Sequence, residues 1–161
     1  MIILGIDPGT RRVGFGVIEK NGSSIILVDA GLLEISSSKD VDALKEIKRG
    51  LENLFTVHKP EIVAIEKLFF SKNRKTALQV AEARGVALVT AKENGLEIKE
   101  FSPNEVKSAL TGYGAADKKA VLKMVGLRLK KPGFRVVDDA ADALALAIVA
   151  SDQIRFDPKK Y

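Results

Sequence analysis

The hydrophobic residues of this chain fall first into short runs and alternations, and only later into helical spacings. The chain opens with an apolar run at 2–6, which is too short for a helix and is typical of a strand buried on both faces. The run ends in Asp7, and a Pro-Gly dipeptide then turns the chain. Two further strands, antiparallel to each other, are predicted over 12–20 and 24–35, joined by the hairpin dipeptide Asn21-Gly22.

Helical spacings begin at about residue 40. Asp40 is predicted to cap a helix that runs to about His58, with one apolar face formed by Val41, Leu44, Ile47, Leu51 and Leu54. The later elements are strands at 61–66 and 96–101, a helix over 74–94, a helix capped by Ser102, a helix from Asp117 to about Lys130, and a last helix opened by Asp138. This order predicts an α/β fold, in which a mixed five-stranded sheet with its first three strands antiparallel is flanked by helices on both faces. We expect a single domain over 1–161, with a flexible tail from about residue 152.

Acidic residues stand at the ends of two of the predicted strands. Asp7 ends the first strand and Glu66 ends the fourth, and if these strands are parallel neighbours both acids lie at the same edge of the sheet. Asp139 and Asp142 are three residues apart at the start of the last helix, so they share a face. Four carboxylates at one point would raise one another's pKa values, and a fold tolerates this only with compensating positive charge.

Oxygen ligands without histidine or cysteine favour Mg²⁺, with Mn²⁺ as a substitute. Two such ions, about 3.5–4 Å apart, would activate a water and stabilise the leaving oxygen of a phosphoryl displacement. A structural interpretation stays open, because acids at a helix start commonly cap it, and Asp138 is the preferred cap. Asp138 with Asp142 is an alternative ligand pair, and Asp7 before Pro-Gly also suits a simple turn.

The composition excludes some kinds of site, and the distribution of basic residues indicates what kind of molecule the protein binds. The 161 residues carry a net charge of +5 and contain no cysteine, which excludes disulfides and thiolate sites and is compatible with a cytoplasmic location. No apolar run reaches the length of a membrane span. Basic residues cluster in one segment around Lys72 and Arg74 and in a second between Lys118 and Lys131. Clustered cations beside an acidic site fit a polyphosphate partner, although solvated helix faces would look the same.

Five short motifs occur in order through essentially the whole chain. They are IDPGT at 6–10, GFG at 14–16, AIEKLFFSKN at 64–73, ARG at 83–85 and DAADALALAI at 139–148. Taken together, these motifs resemble the RuvC family of Holliday-junction resolvases. The resemblance implies a ribonuclease-H-like fold and a homodimer that nicks two opposing strands of a four-way DNA junction in recombination and repair. It also implies the branch-migration proteins RuvA and RuvB as partners.

The resemblance also implies roles for individual residues. The acids carried over as metal ligands and catalytic residues are Asp7, Glu66, Asp139 and Asp142, with Asp139 at a position where the family varies. Phe69 carries over as an aromatic that stacks on a base. Lys107 and Lys118 match basic positions near the scissile phosphate, and Lys119 leaves an ambiguity of one residue. Because the family dimerises, the alanine-rich helix over 74–94 is expected to form part of the dimer surface, with packing on its own sheet as the alternative.

Three other functions remain open from the sequence. An actin-like ATPase or sugar kinase also places an Asp at a strand end before Gly and Thr, but 161 residues are short for two such lobes. A DNA-structure binder without catalytic activity would use the acids as caps and the lysines as phosphate contacts. A nuclease of the same fold that acts on RNA is the third alternative.

Overall fold

One mixed sheet of five strands positions the rest of the molecule. The computed structural model describes residues 1–67 and 77–154. The strands are β1 (Ile2–Asp7), β2 (Arg12–Asn21), β3 (Ser24–Glu34), β4 (Ile62–Glu66) and β5 (Glu97–Phe101). The helices are α1 (Asp40–His58), α2 (Ala77–Glu93), α3 (Pro103–Thr111), α4 (Lys118–Arg128) and α5 (Asp138–Asp152). The strand order across the sheet is β3-β2-β1-β4-β5.

The first strand lies at the centre of this sheet. The pairs β1–β2 and β2–β3 are antiparallel, whereas β1–β4 and β4–β5 are parallel. The predicted mixed sheet with three antiparallel opening strands is therefore confirmed. In this register Asp7 lies opposite Gly14 of β2, and Ile6 lies opposite Ile65 of β4. Asp7 and Glu66, the last residues of β1 and β4, consequently end at the same edge of the sheet.

Side chains of β1 alternate between two cores, because successive strand residues point to opposite faces. Ile3 packs on the face that α3, α4 and α5 cover. Leu4 and Ile6 pack on the face that α1 and α2 cover. All three side chains are fully buried. Helices on both faces explain why β1 and β4 are apolar along nearly their whole length instead of alternating with polar residues.

Helix α5 lies against the middle of the sheet and contacts β1, β2, β3 and β4. Nearly all of its residues from Ala140 to Ser151 are buried, and many are alanines, which keep the helix thin. Gly5 of β1 permits the closest part of this approach, since a Cβ atom there would overlap the carbonyl oxygen of Ala143. The distance between α5 and the sheet is therefore set by the absence of a side chain at position 5.

Two of the predicted helix caps are wrong. Lys39 precedes α1 and Val137 precedes α5 at the cap positions, and neither helix has a side-chain cap hydrogen bond. Asp40 and Asp138 are instead the first residues of their helices, where a carboxylate still interacts favourably with the positive end of the helix dipole. The third predicted cap is confirmed, because the hydroxyl of Ser102 accepts a hydrogen bond at the start of α3.

The buried side of α1 differs from the predicted side at its first turn. Val41 is 68% exposed, whereas Ala43 and Ile47 are buried. Val41 lies two residues before Ala43, about 200° around the helix, so it points away from the sheet. The predicted start of α2 at residue 74 and the predicted tail beyond Ile154 lie outside the described residues. Within 1–67 and 77–154, every helix is too short or too polar to cross a membrane.

Replacing Gly5 with alanine is expected to reduce the free energy of unfolding by about 3 kcal/mol or more, because the new methyl group and the α5 backbone cannot occupy the same space. Gly22→Ala is the matched control. Gly22 has a φ of 58° in the open β2–β3 turn and a Cβ there would meet nothing within 4 Å, so only the cost of the left-handed backbone remains, about 1–2 kcal/mol. Urea unfolding measures both values, and equal losses would show that α5 does not depend on the glycine.

Candidate active site

Asp7 and Glu66 form the base of the candidate site at the edge of the sheet. The pKa of Asp7 is raised to about 8, mainly by burial and also by the charges of Glu66, Asp142 and Asp139. Burial also raises the pKa of Glu66, with the charge of Asp142 acting in the same direction and those of Lys118 and Lys107 opposing it. These couplings show that carboxylates from distant parts of the chain face one another here.

The start of α5 brings Asp139 and Asp142 to the same place. A Cβ on Gly14 would overlap the carbonyl oxygen of Asp139, and Gly14 lies opposite Asp7 in the β1–β2 ladder. The first turn of α5 therefore touches the sheet directly beside Asp7. Burial raises the pKa of Asp142, Lys118 opposes this effect, and the charges of Asp138 and Asp139 add to it. The predicted convergence of Asp7, Glu66, Asp139 and Asp142 is thus present in the structure.

Lys118, the first residue of α4, supplies positive charge to this cluster. Its Nζ lies 3.2 Å from Oδ2 of Asp142 and 3.8 Å from Oδ2 of Asp138. Burial alone lowers the pKa of Lys118, but the nearby charges of Asp142, Asp138 and Asp7 outweigh it and raise the pKa. The lysine therefore offsets part of the repulsion among the acids and supplies the compensating positive charge that such a cluster needs.

A cleft of about 220 Å³ opens beside the acids. Glu66 and Asp142 line it together with Lys107 and Lys118. Its remaining wall is apolar and comes from α3, α4 and α5, through Pro103, Val106, Val121, Ala145 and Leu146. A cleft lined by two carboxylates, two lysines and an apolar wall suits a ligand that carries both an anionic group and an apolar part.

The predicted DNA contacts fall into three groups. Lys107 and Lys118 line the cleft, whereas Lys119 is exposed on α4 and lines a neighbouring hollow with Asp138. Lys118, and not Lys119, is the lysine that contacts Asp142. Three further predicted contacts, Phe69, Lys72 and Arg74, lie outside the described residues, so their roles stay predictions.

Arg12 is a charged residue of the site that the sequence analysis missed. Its Nε lies 3.6 Å from Oδ2 of Asp139, at the rim of the acidic cluster. The signal was present in the strand register, because Gly14 pairs with Asp7 and residues 12 and 14 of a strand point to the same face. Recognising it would have required the packing of α5 on that face, which sequence periodicity does not provide.

The donor chemistry of the site fits a hard divalent cation. Its candidate ligands are all carboxylates, and their mutual repulsion is the kind that a bound cation relieves. Among the described residues, however, no three acidic, histidine or cysteine side chains lie close enough to hold one ion together. The predicted metal ligation therefore stays a prediction.

Comparisons with known proteins place this chain in a family. The family model of the crossover junction endodeoxyribonuclease RuvC matches residues 3–150. The RuvC endonuclease of Caldicellulosiruptor saccharolyticus is 47% identical over 150 residues, covering 92% of this chain and 90% of its own. That of Petrotoga mobilis is 45% identical over 148 residues, covering 91% of each chain. This chain belongs to the RuvC family.

Solved RuvC structures show the same fold. RuvC of Thermus thermophilus superposes with a TM-score of 0.83 at 32% identity, covering 92% of each chain. The same protein in complex with a Holliday junction substrate gives a TM-score of 0.84. The predicted ribonuclease-H-like fold class is therefore confirmed. Membership of the RuvC family also favours a nuclease over the ATPase and sugar-kinase alternatives.

Asp7→Asn is expected to stabilise the metal-free protein at high pH. The pKa of Asp7 is raised from 3.8 to about 8, so between these values the folded state binds more protons than the unfolded state. The contribution of Asp7 to the free energy of unfolding therefore falls as the pH rises from about 4 to 8. An asparagine removes this loss, which is on the order of 1.4 kcal/mol for each unit of pKa shift.

Thermal unfolding between pH 4 and pH 8.5 in a chelator measures this effect. The variant should have a higher Tm than the wild type at pH 8, and most of this difference should disappear at pH 4, where Asp7 is protonated in the folded state and close to half protonated in the unfolded state. A Tm difference that does not change with pH would contradict the burial and repulsion described for Asp7.

Proposed function

We propose that this chain is a structure-selective endonuclease that resolves four-way DNA junctions by paired symmetric nicks in recombination and repair. The observation that carries the proposal is the convergence of Asp7, Glu66, Asp139 and Asp142 beside a lysine-lined cleft. These acids come from three separate parts of the chain, and simple helix capping does not require them to meet. Membership of the RuvC family and the junction complex of the Thermus thermophilus protein support the same reaction.

The residues of the cleft suit binding of a DNA strand and hydrolysis of its phosphodiester. Lys107 and Lys118 lie where they can neutralise the charge of a phosphate that enters beside the acids. The apolar wall of the cleft, which includes Val106 and Val121, excludes water from one side of the strand. Two Mg²⁺ ions, or Mn²⁺ in their place, would be held by the four acids and supply an activated water and stabilisation of the leaving oxygen.

Lys118 has a second task in this proposal. In the structure its Nζ is held by Asp142 and Asp138, so it acts as the counterion of the acids. Lysine carries its charge on a flexible stem, which lets the ammonium turn from the carboxylates towards a bound phosphate without backbone movement. Lys118 is therefore expected to stabilise negative charge that develops on the scissile phosphate.

Paired nicking requires two sites, and α2 offers a surface for a homodimer. One face of α2 is buried in the protein through Ala83, Ala87 and Ala91. On another face Leu78 and Val89 are 70% and 57% exposed, eleven residues or about three turns apart. A helix with apolar residues on two faces is suited to packing against its own sheet and against a second copy. RuvA and RuvB remain predicted partners, on the resemblance alone.

Asp7→Asn should abolish nicking of a synthetic four-way junction in Mg²⁺ while leaving junction affinity within about threefold of the wild type, since binding rests on phosphate contacts. The loss of rate should exceed the roughly 10–100-fold typical of residues that act through a metal ligand. Single-turnover cleavage and equilibrium binding of the same labelled junction measure the two quantities. Equal losses of rate and affinity would show that Asp7 is structural.

The substrate panel separates the remaining alternatives. Wild-type protein should nick the junction in Mg²⁺, should not nick it in a chelator, and should act poorly on linear duplex DNA and on an RNA junction. Tight junction binding with no nicking under any metal condition would identify a DNA-structure binder. Preferred cleavage of the RNA junction would identify a ribonuclease of this fold.

Val89→Glu should convert the dimer to a monomer, because a charge buried in an apolar helix interface is strongly unfavourable. Val57→Glu is the matched control, since Val57 is 62% exposed on α1 and lies outside the proposed interface. Light scattering after gel filtration measures the mass of each variant and of the wild type. A wild-type mass of one chain, or a monomeric Val57→Glu variant, would contradict the use of α2 as the interface.

A further inference from the structure

The carbonyl group of Glu66 lacks a partner in the β1–β4 ladder. The amide of Lys67 donates to the carbonyl oxygen of Phe101. The backbone polar groups of Lys67 therefore point towards β5, and those of Glu66, the residue before it, point towards β1. The register pairs Ile6 with Ile65. The next residue of the first segment whose backbone faces β4 is Pro8, two positions after Ile6, and its amide is the group that would donate to the Glu66 carbonyl. Proline has no N–H group. The backbone oxygen of Glu66 therefore needs a donor from elsewhere in the protein.

Arg84 of α2 supplies that donor. Its Nε donates a hydrogen bond to the backbone oxygen of Glu66 at 2.8 Å. A terminal nitrogen of the same guanidinium contacts the carboxylate of Glu100 on β5. The side chain of Arg84 is only 18% exposed. One planar group is thus held at two points and ties α2 to the ends of β4 and β5.

The position of the Glu66 carboxylate depends on this backbone contact. Glu66 is the last residue of β4, and strand ends fray unless their peptide groups are held. The peptide group between Glu66 and Lys67 is held on both sides, by Arg84 at the oxygen and by Phe101 at the nitrogen. We propose that Arg84 is a positioning residue that fixes the Glu66 carboxylate in the candidate site, with Glu100 as its anchor. This inference rests on the proposed nuclease function.

A simple stabilising ion pair is the alternative, and the chain contains a matched case. Arg128 contacts both carboxylate oxygens of Asp152, and its side chain is 32% exposed. These residues lie ten positions further along α4 and α5 than Lys118 and Asp142, about 15 Å from the acids. Arg128→Met therefore removes a comparable ion pair that does not touch the site.

Arg84→Met should lower the single-turnover rate of junction nicking by about 10–100-fold. The junction Kd should stay within about twofold of the wild type, and the fall in Tm should be similar to that of Arg128→Met, whose nicking rate should be unchanged. A rate that falls only in step with the Kd, or that falls equally in Arg128→Met, would overturn the proposal.

Variants at Glu100 test the anchor. Glu100→Gln keeps an acceptor for the guanidinium, so its nicking rate should stay within about threefold of the wild type. Glu100→Met should lose part of the rate, and combining it with Arg84→Met should cause no further loss, because both changes break one contact. Additive losses in the double variant would mean that Glu100 acts independently of Arg84.

Hydrogen exchange at the amide of Lys67 tests positioning without metal or DNA. Arg84→Met should exchange this amide about tenfold faster as the end of β4 loosens, whereas Arg128→Met should not change it. If the wild type failed to nick junctions, the nuclease proposal would be wrong and the exchange data would still decide whether Arg84 holds Glu66. Unchanged exchange, or faster exchange with an unchanged nicking rate, would overturn the positioning role.

Discussion

The close contact between α5 and the two strands β1 and β2 is the constraint on which the site depends. Gly5 and Gly14 leave room for the helix backbone, at Ala143 and Asp139 respectively. A helix that has to clear a methyl group moves outward by an ångström or more, and geometry on that scale decides whether groups can act on one reacting bond. The core packing and the assembly of the acids are therefore one interaction, because the glycines that admit α5 also bring Asp139 beside Asp7.

That contact concentrates negative charge in a partly enclosed place, and the fold tolerates this at a cost in stability. Burial and neighbouring carboxylates raise the pKa values of Asp7, Glu66 and Asp142, which means that the folded state resists their ionisation. Lys118 offsets only part of the repulsion. Natural proteins commonly keep such destabilising arrangements where function needs them. A site whose carboxylates repel one another is suited to a cation, because the cation offsets their charge and then attracts a phosphate.

The sequence was sufficient for the architecture, because apolar runs and hairpin signals report burial directly. It placed Asp7 and Glu66 at one sheet edge once the helix between their strands implied a parallel pair. The sequence could not assign roles to neighbouring residues of the same type, because such residues differ only in their tertiary contacts. Asp138, the predicted cap, instead contacts Lys118, and only the placement of α4 distinguishes Lys118 from Lys119.

Long-range side-chain contacts could not be predicted from the sequence for the same reason. Arg12 reaches Asp139 across 127 positions of the chain, and no local period encodes that contact. The first turn of α1 shows a smaller version of this limit. Val41 fits an apolar helical face by spacing, yet the sheet selects the face that contains Ala43, so the helix rotation is set by its partner.

Two separate interactions bring the four acids together. The pairing of β4 with β1 joins Asp7 and Glu66, whereas the packing of α5 on the same sheet brings Asp139 and Asp142. The α5 packing also supplies one wall of the cleft. The contact that buries the α5 alanines is therefore the same contact that places all four acids near one another. Hydrophobic burial of that helix, worth roughly 25 cal/mol for each Å² of apolar surface, is therefore the force that holds the carboxylates together against their charges.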